Sequence, residues 1–143
     1  MTSTRMAHLQ RSVVTLRICG DDLVPEAITA SLGNQPTFSQ TKGDEIVGKS
    51  SGKVRIAKAG MWRLCATTCE PEDIDGQVRE LLSKLTDDLR VWREIQENCQ
   101  LDLFCGLFMG SGNEGVLISP QTLVALGERG IQLGLDIYDS DND

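Results

Sequence analysis

Between Ser12 and Cys19 every second side chain is apolar: Val14, Leu16 and Ile18 alternate with Val13, Thr15 and Arg17. A chain with that period can only be a strand with one buried and one exposed flank. The same rhythm returns in Lys53–Ala57, where Val54 and Ile56 oppose Lys53 and Arg55. It returns again over Leu101–Met109 and Ile131–Tyr138. In these last two, Leu101, Leu103, Cys105, Leu107 and Met109, and then Ile131, Leu133, Leu135 and Ile137, form the inward sets. Sheets built from such strands are mainly antiparallel, with helices covering one face and the other face open.

Helical spacing separates the strands. Pro25 and Glu26 open a first helix that carries Ile28 and Leu32 inward and stops at Gly33. Residues 34–52 are polar and rich in Gly and Ser, and are expected to be a loop with a short strand. Met61–Thr67 reads as a strand carrying Trp62. Ile74, Val78, Leu81, Leu82 and Leu85 recur at helical intervals after Asp73, and Thr86 can cap a second segment with Leu89, Trp92 and Ile95 inward. Val116–Ile118 is a further strand candidate. Ser119-Pro120 opens a helix with Leu123 and Leu126 inward. The fold class is therefore α+β. Two proline-led helices, each with an apolar residue three positions on (Ile28, Leu123), also admit a duplicated ferredoxin-like layout.

At 143 residues the chain is one domain. Residues 1–11 read as a flexible leader, 12–138 as the domain and 139–143 as an acidic tail. Formal charge is −7, which disfavours nucleic acid as a partner. No apolar run approaches the roughly 18 residues that a membrane span needs. Five cysteines, odd in number and without a C-x-x-C pair, are expected to be reduced thiols in the cytoplasm rather than a zinc set.

Several residues taken in order resemble a known bacterial family. They are Gly20-Asp21-Asp22-Leu23 leading to Pro25-Glu26 and Ile28, then Leu32-Gly33 with Pro36-Thr37, and Lys42-Gly43-Asp44. Gly60 and Trp62 follow before a strand, then Ser119, Leu123, Leu126-Gly127 and Leu135-Asp136-Ile137-Tyr138. In order and spacing the chain resembles the family catalogued as domain of unknown function 4279, over roughly residues 12–138. Val24 departs from the pattern, which more often has a capping side chain before the proline. The resemblance implies the fold and brings no established activity.

Two segments copy nucleotide motifs. Gly43-Asp44-Glu45-Ile46-Val47-Gly48-Lys49-Ser50 matches the phosphate-loop pattern, in which Lys49 would reach the outer phosphates and Ser50 the magnesium. Its flanks disagree, because a polar stretch precedes it and an alternating strand follows. Gly110-Ser111-Gly112-Asn113-Glu114-Gly115 matches the dinucleotide fingerprint, but Pro120 would break a helix already begun there. Asp139, Asp141 and Asp143 copy the start of a calcium loop without its glycine and glutamate. The single histidine, His8, lies in the leader, so no nucleophile–histidine dyad is expected. No catalytic residue, metal or cofactor is assigned.

Charge is segregated. Ile46–Cys69 holds five basic residues (Lys49, Lys53, Arg55, Lys58, Arg63) and no acidic one, against nine basic and 21 acidic elsewhere. Lys53, Arg55, Trp62 and Arg63 are candidate binding residues on neighbouring strands. On the outward flanks of two other strands stand Asp102, Phe104 and Phe108, and Asp136 and Tyr138. Rings on an open flank suggest cover by a partner. The expected function is a non-enzymatic interaction module of immunity type that docks a protein partner, or a second copy, on its open sheet face. The alternative is nucleotide binding through Gly43, Gly48, Lys49 and Ser50. Millimolar ATP or GTP with magnesium is expected to leave the melting temperature unmoved. A shift that Lys49→Ala abolishes would establish the alternative.

Overall fold

Strand β1 (Arg11–Gly20) forms the centre of the computed structural model, which describes residues 9–139. Val14, Leu16 and Ile18 are buried on one side of it. Arg11, Val13, Thr15 and Arg17 are only partly covered on the other. The turn after β1 leads to helix α1 (Pro25–Leu32). Val24 gives this helix no side-chain cap, and Gly33, at φ 90°, closes it in the left-handed region that favours glycine.

The long polar stretch holds two short strands, β2 (Phe38–Gln40) and β3 (Glu45–Val47). Strand β3 pairs with β4 (Val54–Ile56) in a separate hairpin. Strand β5 (Gly60–Cys65), helices α2 (Ile74–Ser83) and α3 (Leu89–Gln96), strand β6 (Gln100–Phe108), helix α4 (Pro120–Glu128) and strand β7 (Gln132–Tyr138) complete the chain. The main sheet has the order β2-β5-β1-β6-β7. Its neighbours are antiparallel except β6 and β7, which run parallel with α4 as the crossover. The two proline-led helices thus serve different connections.

All four helices share one core with the inward strand residues. Trp62 and Leu64 of β5 and Leu101, Leu103, Cys105 and Leu107 of β6 pack with Ile28, Leu32, Ile74, Val78, Leu81, Trp92, Ile95 and Leu126. Both indoles are satisfied: Trp62 Nε1 donates to Thr29 Oγ1 at 3.0 Å and Trp92 Nε1 to the Thr86 carbonyl at 2.8 Å.

The structure departs from the sequence expectations at definite places. Val116–Ile118 forms no strand, because both flanks of β6 are already taken by β1 and β7. Leu123 is half exposed, since α4 turns Thr122 and Leu126 inward instead. Along β7 the cover thins: Ile131 is buried, but Leu135 and Ile137 are 45% and 58% exposed. Asp88 rather than Thr86 caps α3, accepting from the Arg90 amide. Leu9, counted with the leader, is buried in the core, and β1 already includes Arg11. Residues 1–8 and 140–143, with His8, Asp141 and Asp143, lie outside the described residues.

One buried polar network ties β1 to α2. Ser12 Oγ donates to Gln77 Oε1 at 2.6 Å and accepts from the Asp73 amide at 3.0 Å. Gln77 Nε2 donates to the carbonyls of Ser12 and Thr67, each at 2.9 Å. Asp75 ties α2 to α4 in turn. Its Oδ1 accepts from Thr122 Oγ1 at 2.6 Å and from the Ser119 amide at 3.1 Å. Burial pushes the Asp75 carboxyl up, but these bonds, with help from Arg79, outweigh it and hold the group below the ordinary range.

Gln77→Met keeps the volume and removes the bonds. It is expected to cost about 2–3 kcal/mol in urea unfolding, because buried carbonyls and the Ser12 hydroxyl lose their partners. The depressed folded pKa of Asp75 gives stability that is complete above its unfolded value and is lost as pH falls through the folded one. Asp75→Asn is therefore expected to lower stability at neutral pH and to flatten the decline below about pH 4. A series of melting temperatures against pH for both chains checks this.

Candidate functional site

The flank of the sheet away from the helices collects arginines and aromatic rings. Pairing register alone sets the arrangement. Arg11 lies opposite Phe108, and Phe108 opposite Tyr138, in one row across β1, β6 and β7. A second row runs Phe38, Arg63, Arg17, Asp102 and Gln132. Between them Phe104 lies opposite Thr15 and Gly134. Residues directly opposite in adjacent strands have touching side chains, so each arginine meets a ring or a charge.

The contacts are specific. The Arg11 guanidinium carbon lies 4.0 Å from the Phe108 ring centre, Arg17 lies 4.6 Å from Phe104, and Arg63 lies 4.4 Å from Phe38. Phe108 stacks on Tyr138 with ring centres 4.7 Å apart and planes 10° from parallel. Both rings reach over Gly106, where an added Cβ would meet them at 3.6 and 3.8 Å, ordinary contact distances. Guanidinium–ring pairs at such partly wet positions contribute about 0.5–1 kcal/mol each.

The three arginines differ in charge pairing. Arg17 makes a two-point bond to Asp102, Nε to Oδ1 at 2.8 Å and Nη2 to Oδ2 at 2.5 Å. Hydrogen bonding to Asp102 raises its pKa further despite some burial, so Arg17 is a fixed cation. Arg11 and Arg63 have no carboxylate within ion-pair reach among the described residues. Their Nε atoms are buried without a hydrogen-bond partner. Asp136 accepts from the Tyr138 hydroxyl at 2.7 Å, and that bond and the carboxylate's charge raise the phenol pKa.

Of the residues singled out in the sequence, Phe104, Phe108, Tyr138, Asp136 and Arg63 come together on this face. Trp62 does not. It is fully buried on the helix side of β5. Lys53 and Arg55 are not on a strand beside it either: Arg55 belongs to β4 of the separate hairpin, and the flank of β5 is taken by β2. Arg11, Arg17 and Phe38 complete the face and were missed as site residues. Arg17 already stood in the outward set of β1, and extending that set backward in steps of two reaches Arg11. Phe38 gave no such signal, because its strand is three residues long.

The nucleotide look-alikes take other shapes. Within Gly43–Ser50, residues Glu45–Val47 are β3, and the Gly48 amide donates to the Lys53 carbonyl at 2.8 Å. Lys49 and Ser50 sit in the hairpin turn, and β4 follows where a phosphate loop would feed a helix. The Gly110–Gly115 loop folds on itself, with the Gly110 amide donating to Glu114 Oε1 at 2.7 Å. Among the described residues no three His, Cys, Asp or Glu side chains converge as a metal set, and no helix is long and apolar enough to cross a membrane. All five cysteines are free thiols. Burial pushes the Cys105 thiol up to about 12, which makes it inert.

No curated protein and no solved structure matches the chain. A family model described as "Domain of unknown function (DUF4279)" matches residues 9–140, nearly all of the fold set out above, and the chain belongs to that family.

Proposed function

We propose that the chain is a non-enzymatic interaction module that docks a protein partner on the open face of its five-stranded sheet, as an immunity-type protein would. The observation that carries this is the layer of three guanidiniums laid over three rings, two of them without a carboxylate in ion-pair reach among the described residues. Arginine and aromatic side chains dominate binding energy at protein interfaces, since they offer large rigid area together with directed donors. The face favours binding over acid–base work. Arg17 is held protonated by Asp102, and the Cys19 thiol on the same flank is raised in pKa by burial rather than activated. Five free thiols suit a reducing compartment, so the cytoplasm is the proposed location.

Photo-crosslinking in the source cell identifies the partner, with a benzophenone amino acid placed at Phe104 and, as a control, at the exposed Glu94 on α3. A discrete adduct is expected from position 104 and not from 94. With that partner purified, Phe104→Asp and Phe108→Asp are expected to weaken binding roughly 30-fold or more, the range of an interface hot spot. Circular dichroism and melting should stay close to wild type. Equal cross-linking from both positions, or unchanged affinity in folded variants, would remove this function.

A further inference from the structure

The open edge of the sheet is a separate surface from the open face. Strand β7 ends the sheet order, and no strand among the described residues pairs with its outer flank. Along these seven residues of extended backbone every second one therefore presents an unpaired donor and acceptor on that flank. Proteins guard such edges with charged side chains, above all lysine, or with proline, bulges or cover. β7 reads Gln132-Leu133-Gly134-Leu135-Asp136-Ile137-Tyr138, with neither lysine nor proline and Asp136 as its one charge. Its helix-side residues are also left bare: Leu135 and Ile137 are exposed, as are Leu123 and Val124 on α4, which packs against β7.

The strand is close to a palindrome about Leu135. If two copies pair antiparallel with Leu135 opposite its counterpart, Leu133 meets Ile137 and Leu135 meets Leu135 on the helix side. On the open side Gln132 meets Tyr138, and Gly134 meets Asp136. Every aliphatic residue of the strand then faces an aliphatic one, and the single charge of the strand faces a glycine. Neighbouring registers with the same facing are worse. Centring on Asp136 sets two carboxylates opposite each other, which is destabilising. Centring on Gly134 sets Ile137 against Ile131, which is buried in its own core. Side-chain complementarity thus selects a second copy of this chain as the occupant, in one register.

We infer that β7 is a homodimerisation edge, joining two copies of the chain into one continuous sheet with Leu135 at the twofold axis. This holds independently of the partner surface proposed above. Each copy has a net charge of −7, so the pair repels at long range, and added salt strengthens the dimer by screening.

Sedimentation velocity on the full chain across the micromolar range tests it. The wild type is expected to sediment as a dimer, favoured by salt. Leu135→Lys and Ile137→Lys, both at exposed positions, are expected to give folded monomers, while Phe104→Asp stays dimeric. Leu135→Cys checks the register. Opposed residues of antiparallel strands have Cα atoms about 4.5–5.5 Å apart, within disulfide reach. Mild oxidation should then yield covalent dimer several-fold above wild type, whose own thiols set the background, and above Leu123→Cys. A monomeric wild type overturns the inference. So does a dimer that survives both lysine variants, or one that Phe104→Asp dissolves. Background-level cross-linking at position 135 overturns the register.

Discussion

The alternation of β1 is the constraint on which the other elements depend, because this strand is paired on both sides and read on both faces. Its even positions, Ser12 to Ile18, face the helices, and its odd positions, Arg11 to Arg17, face out. A slip of one residue would turn two arginines into the core and three aliphatic side chains into water. Burial alone makes that prohibitive, and Ser12 adds a directional lock. Its hydroxyl and carbonyl both bond to Gln77, whose carboxamide is satisfied only when Ser12 stands at that position. The polar pair places α2, Asp75 of α2 places the start of α4, and α4 sets the parallel crossover to β7.

Much of this was legible in the sequence because period and burial coincide. The inward residues of β1 and β6, the face of α2 and the Ser119 cap of α4 follow from spacing and capping chemistry. What did not follow depends on where strands end up beside one another. Phe38 sits in a three-residue strand that exists because β5 offers a flank. Val116–Ile118 has strand composition, yet β6 has no flank left to give. Leu135 and Ile137 keep the inward rhythm, but their strand lies at the edge, where helical cover runs out. Trp62 and the basic residues Lys53 and Arg55 look adjacent along the chain, and the sheet order separates them. Local pattern decides which face a residue takes. Only the global order decides whether that face is covered.

The open face illustrates how an acidic chain can carry a cationic surface. Three arginines are confined to one flank by the period of their strands, and each lies on a ring supplied by the strand next to it. The Nε of Arg17 bonds to Asp102, whereas those of Arg11 and Arg63 are buried and unpaired. Arg17 is neutralised by Asp102. Among the described residues Arg11 and Arg63 have no carboxylate within ion-pair reach, and they stand at the two ends of the layer, about 20 Å apart along the strands at 3.4 Å per residue.

Face and edge are coupled by geometry. A twofold axis that pairs β7 with its own copy stands perpendicular to the sheet, so both helix layers lie on one side and both arginine–aromatic faces on the other. Tyr138 closes the aromatic row at the β7 edge, and pairing across that edge would bring the second copy's Gln132 beside it. The two faces would then be offered side by side to one partner, or to two. A partner that spans both would gain the effective concentration of a linked site without any new contact chemistry. An exposed edge with neither lysine nor proline is a hazard for a lone domain, and pairing it with its own copy would remove the hazard while setting the two faces in one plane.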